Sequence, residues 1–275
     1  MGGLQGFTEL FPISSLGHSV LLPHVLGWNI DEGNNYFLIF IVSTHFATAL
    51  VLLGLYWKDW VKIIKGMFRS LKNREINQSD KYEKIGWLLV IGTIPAGILG
   101  LLFEQKIKSI FATPIYVSIF LFFNGLLLYS AEILRKKSKE KEISANSDEK
   151  ILKLSWSQSL KIGCMQTLAL IPGFSRTGSA FSGGLLSGLN HEDAMRFSFL
   201  LATPIIFAAS VLKLPELIGK NNYALGPIIF GSIISATTAY LAVKFLTKYF
   251  ETKTLKPFAL YCAIVGILLS IIFIF

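Results

Sequence analysis

The chain has 275 residues, of which 52% are hydrophobic and only 16% are charged. Soluble domains carry about 25% charged residues, so the composition excludes a soluble protein of this size and indicates a polytopic membrane protein. The net charge of +9 lies in short segments between apolar runs, which disfavours a nucleic-acid-binding domain.

The first predicted element is a helical hairpin that enters the membrane and returns. An apolar half-helix reaches Pro12, a serine turn follows at Ser14 and Ser15, and a second short apolar helix begins there. Proline and the small polar residues interrupt a continuous spanning helix. We therefore predict a re-entrant hairpin rather than a span.

Chemically active residues cluster in this hairpin. Gln5 and Glu9 are four residues apart and share one helix face; their oxygens suit a hard cation such as Mg²⁺ or Ca²⁺. Ser15 and His18 are three residues apart and can approach each other, so Ser15 is a candidate nucleophile and His18 its base. Ser14 is a candidate phosphate ligand. The alternative to Ser15 as the nucleophile is a water molecule, with His18 or Glu9 as its base.

Six uncharged runs are predicted to span the membrane, because a span needs about 20 apolar residues. The polar residues in these runs include His45 and Asn124. For His45, a buried structural role is at least as good an interpretation as a functional one, and Asn124 receives no role. The runs are Tyr36–Tyr56, Ile85–Phe103, Ile115–Ala131, Phe197–Leu212, Asn221–Val243 and Pro257–Phe275.

Basic residues concentrate at Lys58–Lys84, Arg135–Lys153 and Lys244–Lys256. Two spans separate the first segment from the second, so both lie on one side of the membrane. The positive-inside rule makes that side the cytoplasm, and the chain termini are then external.

A second hairpin is predicted around Pro172-Gly-Phe-Ser-Arg-Thr-Gly178. An arginine at membrane depth costs about 2.5–3.5 kcal/mol on insertion scales, so Arg176 is expected to meet an anion. The free N–H groups at the following helix start favour phosphate, and Ser175, Thr177 and Gly178 are candidate ligands beside it. A structural ion pair between Arg176 and Glu9 is the alternative.

The two hairpins divide the chain into halves that repeat loosely. Each half has one hairpin and three spans, about ten helices in all, in a single all-α membrane domain. Three spans per half is an odd number, so the second repeat is inverted and the hairpin tips meet near mid-membrane. We place repeat 1 at about 1–134, a basic cytoplasmic linker at 135–153 and repeat 2 at about 154–275.

The two motifs resemble the signatures of a known family. Gln5-Gly-Phe-Thr-Glu9 with Pro12-Ile-Ser-Ser-Leu-Gly-His18, followed by Pro172-Gly-Phe-Ser-Arg-Thr-Gly178, is similar to the bacterial undecaprenyl-diphosphate phosphatases, also called the bacitracin-resistance family. The similarity extends weakly over nearly the whole chain. It differs at Leu16 and Ala180, where the family usually has hydroxyl residues.

The resemblance implies a ten-helix enzyme of the bacterial inner membrane with its active site open to the outside. The family removes the terminal phosphate of undecaprenyl diphosphate, which recycles the lipid carrier for peptidoglycan synthesis, and it requires a divalent cation. Bacitracin competes for the same lipid, and a homodimer is a further expectation. The family's functional positions correspond to Glu9, Ser15, His18, Ser175 and Arg176, with Gln5 a lesser member.

Two alternative functions remain open from the sequence. Inverted repeats and broken helices are also features of transporters, so a transporter or flippase of a lipid phosphate is one. An inactive paralogue, indicated by Leu16 and Ala180, is the other.

Overall fold

The computed structural model describes residues 1–28, 35–77, 80–111, 113–139, 151, 153–218 and 225–275. Within them the chain forms eleven α-helices and one 3₁₀ turn. The helices are α1 Gly2–Leu10, α2 Ser15–Val25, α3 Asn35–Leu55, α4 Trp57–Asn73, α5 Lys81–Phe111, α6 Pro114–Lys139, α7 Trp156–Gln166, α8 Arg176–Leu186, α9 His191–Ile218, α10 Leu225–Phe250 and α11 Lys256–Ile274, and the 3₁₀ turn is Thr167–Leu170.

Six of these helices are long and apolar enough to cross a membrane, and each coincides with one of the six predicted spans. The all-α, multi-pass prediction is therefore confirmed. The candidate spans are Asn35–Leu55, Lys81–Phe103, Pro114–Lys136, His191–Pro215, Leu225–Phe250 and Lys256–Ile274.

Four further helices, α1, α2, α7 and α8, flank the two predicted hairpin turns and are short. Helices α1 and α2 have 9 and 11 residues, and α7 and α8 have 11 each. At 1.5 Å per residue each is about 14–17 Å long, half of a hydrocarbon core of about 30 Å. We call α1–α2 the first hairpin and α7–α8 the second hairpin, and their dimensions agree with the predicted re-entrant form.

The turn of the second hairpin is tightly packed against α6. Gly173 has a φ of +106°, a backbone conformation that residues other than glycine rarely adopt. A Cβ atom there would lie 2.6 Å from the carbonyl oxygen of Val117 and 2.6 Å from the Cβ of Phe120. Glycine is thus required by both the backbone and the neighbouring helix.

Helix α4 is the element that the sequence interpretation did not place, because its segment reads as a basic loop. It buries Ile63, Gly66 and Ser70 against the first turns of α5. The indole nitrogen of Trp87 on α5 donates to the Ser70 hydroxyl at 2.8 Å. With this helix, the described residues form eleven α-helices, where about ten were predicted for the chain.

Helices of the two halves pack against each other. Helix α1 contacts α10, α3 contacts α9 and α10, α5 contacts α7, and α6 contacts α11. The inverted relation between the repeats stays a prediction, as do the repeat boundaries. Most of the predicted linker at 135–153, namely residues 140–150 and 152, lies outside the described residues.

Candidate active site

The turns of the two hairpins meet, and hydrogen bonds join them. The hydroxyl of Thr177 donates to the backbone carbonyl of Glu9 at 3.1 Å. The hydroxyl of Ser175 donates to the carbonyl of Phe11 at 3.2 Å. The start of α8 is thereby held against the end of α1, and both predicted motifs contribute to one site.

Glu9 is the centre of this site, with only 5% of the residue exposed. Its Oε2 accepts a hydrogen bond from Gln5 Nε2 at 3.0 Å and another from the Ser15 hydroxyl. Its Oε1 lies 3.3 Å from Nη2 of Arg176. A buried carboxylate is costly unless it is paired, and here the guanidinium supplies the opposite charge.

His45 joins this cluster from the middle of α3. Its Nε2 lies 3.1 Å from Glu9 Oε2 and 3.1 Å from Gln5 Nε2. Its Nδ1 lies 2.8 Å from the carbonyl oxygen of Ile41; since a carbonyl only accepts, we assign a proton to Nδ1. The Nε2 atom can therefore exchange a proton with Glu9.

Sequence reasoning gave His45 no firm role, although the signal was present: an ionisable residue inside a span is a functional candidate by default. What the sequence could not supply is its distance from Glu9, which lies 36 positions away.

Ser15 and His18 face different partners in the structure. The single proton of the Ser15 hydroxyl points to Glu9. His18 Nδ1 lies 2.7 Å from the Ser14 carbonyl, and its Nε2 lies 2.8 Å from the hydroxyl of Tyr261. The described contacts thus join Ser15 to Glu9 rather than to His18, and a base role for His18 stays a prediction.

Ser14 and Ser175 begin the second helix of their hairpins as N-caps. Ser14 has a φ of +70°, and its hydroxyl accepts from Gly17 N at 3.2 Å. The hydroxyl of Ser175 accepts from Gly178 N at 3.1 Å. N-caps satisfy N–H groups that the helix leaves free, so the hydroxyl oxygens of Ser14 and Ser175 are engaged as caps.

Asn124 of α6 holds the two turns together, and the sequence interpretation missed it. Its Nδ2 donates to the Pro12 carbonyl at 3.0 Å, and its Oδ1 accepts from Ser175 N at 3.1 Å. A lone asparagine in an apolar run was its only sequence signal.

A cavity of about 290 Å³ adjoins the cluster. It is lined mainly by apolar side chains, and its polar lining residues are His45, Gln166, Arg176, Ser210 and Lys213. Gln166 is 2% exposed. Its two amide atoms and Nη1 of Arg176 are buried without a hydrogen-bond partner among the described residues. Such orphaned groups are uncommon and require an explanation. A polar ligand in this cavity would supply their partners.

The predicted cation ligands can be tested against this geometry. Among the residues that the structure describes, no group of three or more His, Cys, Asp and Glu side chains could hold a metal ion. The Glu9 carboxylate is already contacted by Gln5, Ser15, His45 and Arg176. A cation held by Glu9 and Gln5 would need further ligands from a bound phosphate, and the cation site stays a prediction.

Comparison with protein-family models matches residues 1–268 to the family described as "Bacitracin resistance protein BacA". The chain belongs to the BacA family. The match includes both hairpins and all but the end of α11, so the site described above lies within the matched residues.

Curated relatives of this BacA-family chain carry the name undecaprenyl-diphosphatase. The protein of Mycolicibacterium paratuberculosis is 45% identical over 285 residues, covering 97% of this chain and 93% of the relative. That of Frankia alni, "Undecaprenyl-diphosphatase 2", is 38% identical over 332 residues, covering 99% and 96%. That of Oenococcus oeni is 42% identical over 270 residues, covering 96% and 93%.

Proposed function

We propose that this BacA-family protein hydrolyses undecaprenyl diphosphate to undecaprenyl phosphate and inorganic phosphate. The observation that carries the proposal is the contact of Ser15, Glu9 and Arg176 at the junction of the hairpins. A transporter needs an anion site but has no need of a hydroxyl beside a carboxylate base. The names of the relatives support the same reaction.

The reaction begins with the hydroxyl of Ser15. Its oxygen attacks the terminal phosphorus as its proton passes to Glu9, which already accepts its hydrogen bond. A Ser15 O–P bond forms, the P–O bond of the anhydride breaks, and undecaprenyl phosphate leaves with the electron pair. Water then attacks the phosphorus of the phosphoserine, the Ser15 O–P bond breaks, and inorganic phosphate leaves with the water oxygen and its protons. The proton held on Glu9 returns to the Ser15 oxygen. Direct attack by water with Glu9 or His18 as base is the alternative route.

His45 serves in this scheme as a proton reservoir for Glu9. It lies 3.1 Å from the Oε2 atom that receives the Ser15 proton. A second group that shares the proton keeps Glu9 able to act as base in each turnover. His45 is thus a positioning and proton-carrying residue in addition to those predicted.

Arg176 and Gln166 bind the diphosphate. The guanidinium fork matches phosphate oxygens, and its Nη1 and the Gln166 amide have no partner among the described residues. Ser14 and Ser175 cap their helices, and Thr177 and Gly178 lie in the first turn of α8. In this proposal all four lie beside the phosphate. The apolar walls of the adjoining cavity accept the first isoprene units of the lipid.

A divalent cation, Mg²⁺ or Ca²⁺, would be held by Glu9 and the amide oxygen of Gln5 together with the phosphates. When bound, it would neutralise the negative charge of the diphosphate. The residues of the chain alone provide the nucleophile, the base and the guanidinium.

The remaining proposals concern the setting of the enzyme. The active site faces the outside of the bacterial inner membrane, and the reaction recycles the lipid carrier of peptidoglycan synthesis. Bacitracin competes for the lipid diphosphate, and the protein forms a homodimer.

The experiment is phosphate release from undecaprenyl diphosphate by the purified protein in detergent with Mg²⁺. Arg176→Lys retains the charge but loses the fork, and we expect kcat/KM to fall about 10³-fold, the lower value for an arginine that stabilises phosphoryl transfer. Gln166→Leu removes a hydrogen bond to a charged group, and we expect kcat/KM to fall about 10- to 100-fold.

Thermal unfolding of both variants provides the control. If both variants melt at the wild-type temperature but have lost turnover, Arg176 and Gln166 act in the reaction and not in folding. Loss of the folded protein in Arg176→Lys would instead support a purely structural Arg176–Glu9 pair. No phosphate release from folded wild-type protein would leave the transporter or the inactive paralogue.

A further inference from the structure

Helix α4 presents three separate faces, and one of them packs closely against the rest of the fold. The first face packs on α5: a Cβ at Gly66 would lie 3.0 Å from the Cα of Glu83, so the two helices nearly touch. With 17 residues, α4 is about 25 Å long. It begins two residues after α3 ends at Leu55, and α5 begins at Lys81. Two candidate spans therefore hold α4 at one boundary of the membrane.

The second face is apolar and exposed. Its four residues recur every three to seven positions and so share one side of the helix. They are Trp57, Ile64, Phe68 and Leu71, which are 57%, 46%, 70% and 59% exposed. An apolar stripe at the membrane boundary is covered by lipid, as in amphipathic helices that lie in the interface.

The third face is basic and lies beside the apolar stripe. Its residues follow the helical repeat at spacings of four and three: Lys58, Lys62, Lys65, Arg69 and Lys72. Asp59 is the only acid in the helix; it points elsewhere and lies 2.8 Å from Arg196 of α9. Arg69 contacts Asp80 and Glu83. The charge of the stripe therefore resides in its lysines.

We propose that α4 lies in the headgroup layer and that its lysine stripe is a binding site for acidic phospholipid headgroups. Clusters of four to eight basic residues on an amphipathic helix are attracted to anionic lipid surfaces. The apolar stripe fixes the depth of the helix, and the adjacent lysines then reach the phosphates. The site is independent of the proposed catalytic site and holds whether or not the protein hydrolyses a lipid diphosphate.

Native mass spectrometry of the full chain in detergent tests the site. Phosphatidylglycerol and phosphatidylcholine are added at equal concentrations, and the bound lipids are counted. We expect wild type to retain phosphatidylglycerol at least about tenfold over phosphatidylcholine, since each lysine near an anionic surface contributes about fivefold. Changing Lys58, Lys62, Lys65 and Lys72 to glutamine should abolish the preference, and changing all four to arginine should keep it.

The matched control changes four exposed lysines outside α4, namely Lys153, Lys248, Lys253 and Lys256, to glutamine; it should retain the wild-type preference. Salt provides a further check on the wild-type protein. Its preference for phosphatidylglycerol should fall as NaCl is raised from roughly 0.05 to 0.5 M, because salt screens the charge of the lysines. Equal retention of both lipids by wild type, or equal loss in the α4 variant and the control, would overturn the proposal. A dimer that Phe68→Ser dissociates would assign the apolar stripe to a second copy instead.

Discussion

At the scale of single residues, the site depends on how one buried carboxylate is shared. Glu9 contacts a guanidinium, an imidazole, an amide and a hydroxyl. Two sequence signals, a glutamate in one apolar run and an arginine in another segment of membrane depth, predicted the guanidinium as a partner of Glu9, as an alternative to a cation. The imidazole came from a span whose apolar sequence gives no hint of which neighbour His45 meets.

Ser15 is predicted to form a phosphoserine during turnover. Ser15→Ala should lower kcat by about 10³-fold or more, because the covalent route loses its nucleophile. The measurement is acid-quenched trapping of ³²P-labelled protein from labelled substrate, with Ser14→Ala as the control that retains Ser15. An active Ser15→Ala enzyme would assign the attack to water.

The roles of His45 and His18 can be distinguished by replacing each of them with asparagine. We expect His45→Asn to lower kcat by about 10²-fold, within the range of general acid–base contributions. His18→Asn should have a smaller effect, because the His18 ring contacts Ser14 and Tyr261. Steady-state phosphate release measures both; a greater loss in His18→Asn would return the base role to His18.

At the scale of the element, the short helices and their turns position the site. The caps at Ser14 and Ser175 fix where α2 and α8 begin, and Asn124 bridges the two turns. Proline, glycine and serine in the sequence predict the breaks. Helix α6 reinforces the contact between the breaks, since Asn124 supplies hydrogen bonds to both turns.

Gly173→Ala is expected to destabilise the protein by about 3 kcal/mol or more, because the added methyl group meets both an unfavourable φ and α6. Gly188→Ala is a matched control: its φ is +94°, but a Cβ there has no heavy atom within 4 Å. We expect the free energy of unfolding of the control to fall by only about 1–2 kcal/mol. Thermal unfolding in detergent compares them; equal losses would show that packing against α6 contributes little.

At the scale of the whole molecule, the charge pattern and the helix order give one consistent topology. The ends of α3, α6 and α10 and the starts of α5, α7, α9 and α11 form one face. A hydrogen bond and an ion pair connect helices there: His191 Nε2 lies 2.6 Å from Glu132 Oε1, and Asp59 pairs with Arg196 at 2.8 Å. The basic segments follow the same face, which we predict to be cytoplasmic.

Cysteine labelling in cells tests this orientation. In a chain with Cys164 and Cys262 changed to alanine, Leu26→Cys should react with a membrane-impermeant maleimide in intact cells. Lys153→Cys, on the opposite face, should react only after permeabilisation. The reverse pattern would invert the topology and move the predicted opening of the active site to the cytoplasm.

The sequence by itself determined the class of protein, the six spans and the two breaks, because span length, charge and helix-breaking residues are local properties of the chain. Both motifs carrying Glu9, Ser15 and Arg176 were also readable from it. Only the tertiary structure decided that Ser15 points to Glu9, that His45 joins them and that Asn124 links the turns. These depend on distances between helices far apart in sequence. Helix α4 was missed for a related reason: its apolar residues form a stripe rather than a run, and a basic segment reads as a loop until its helical spacing is seen.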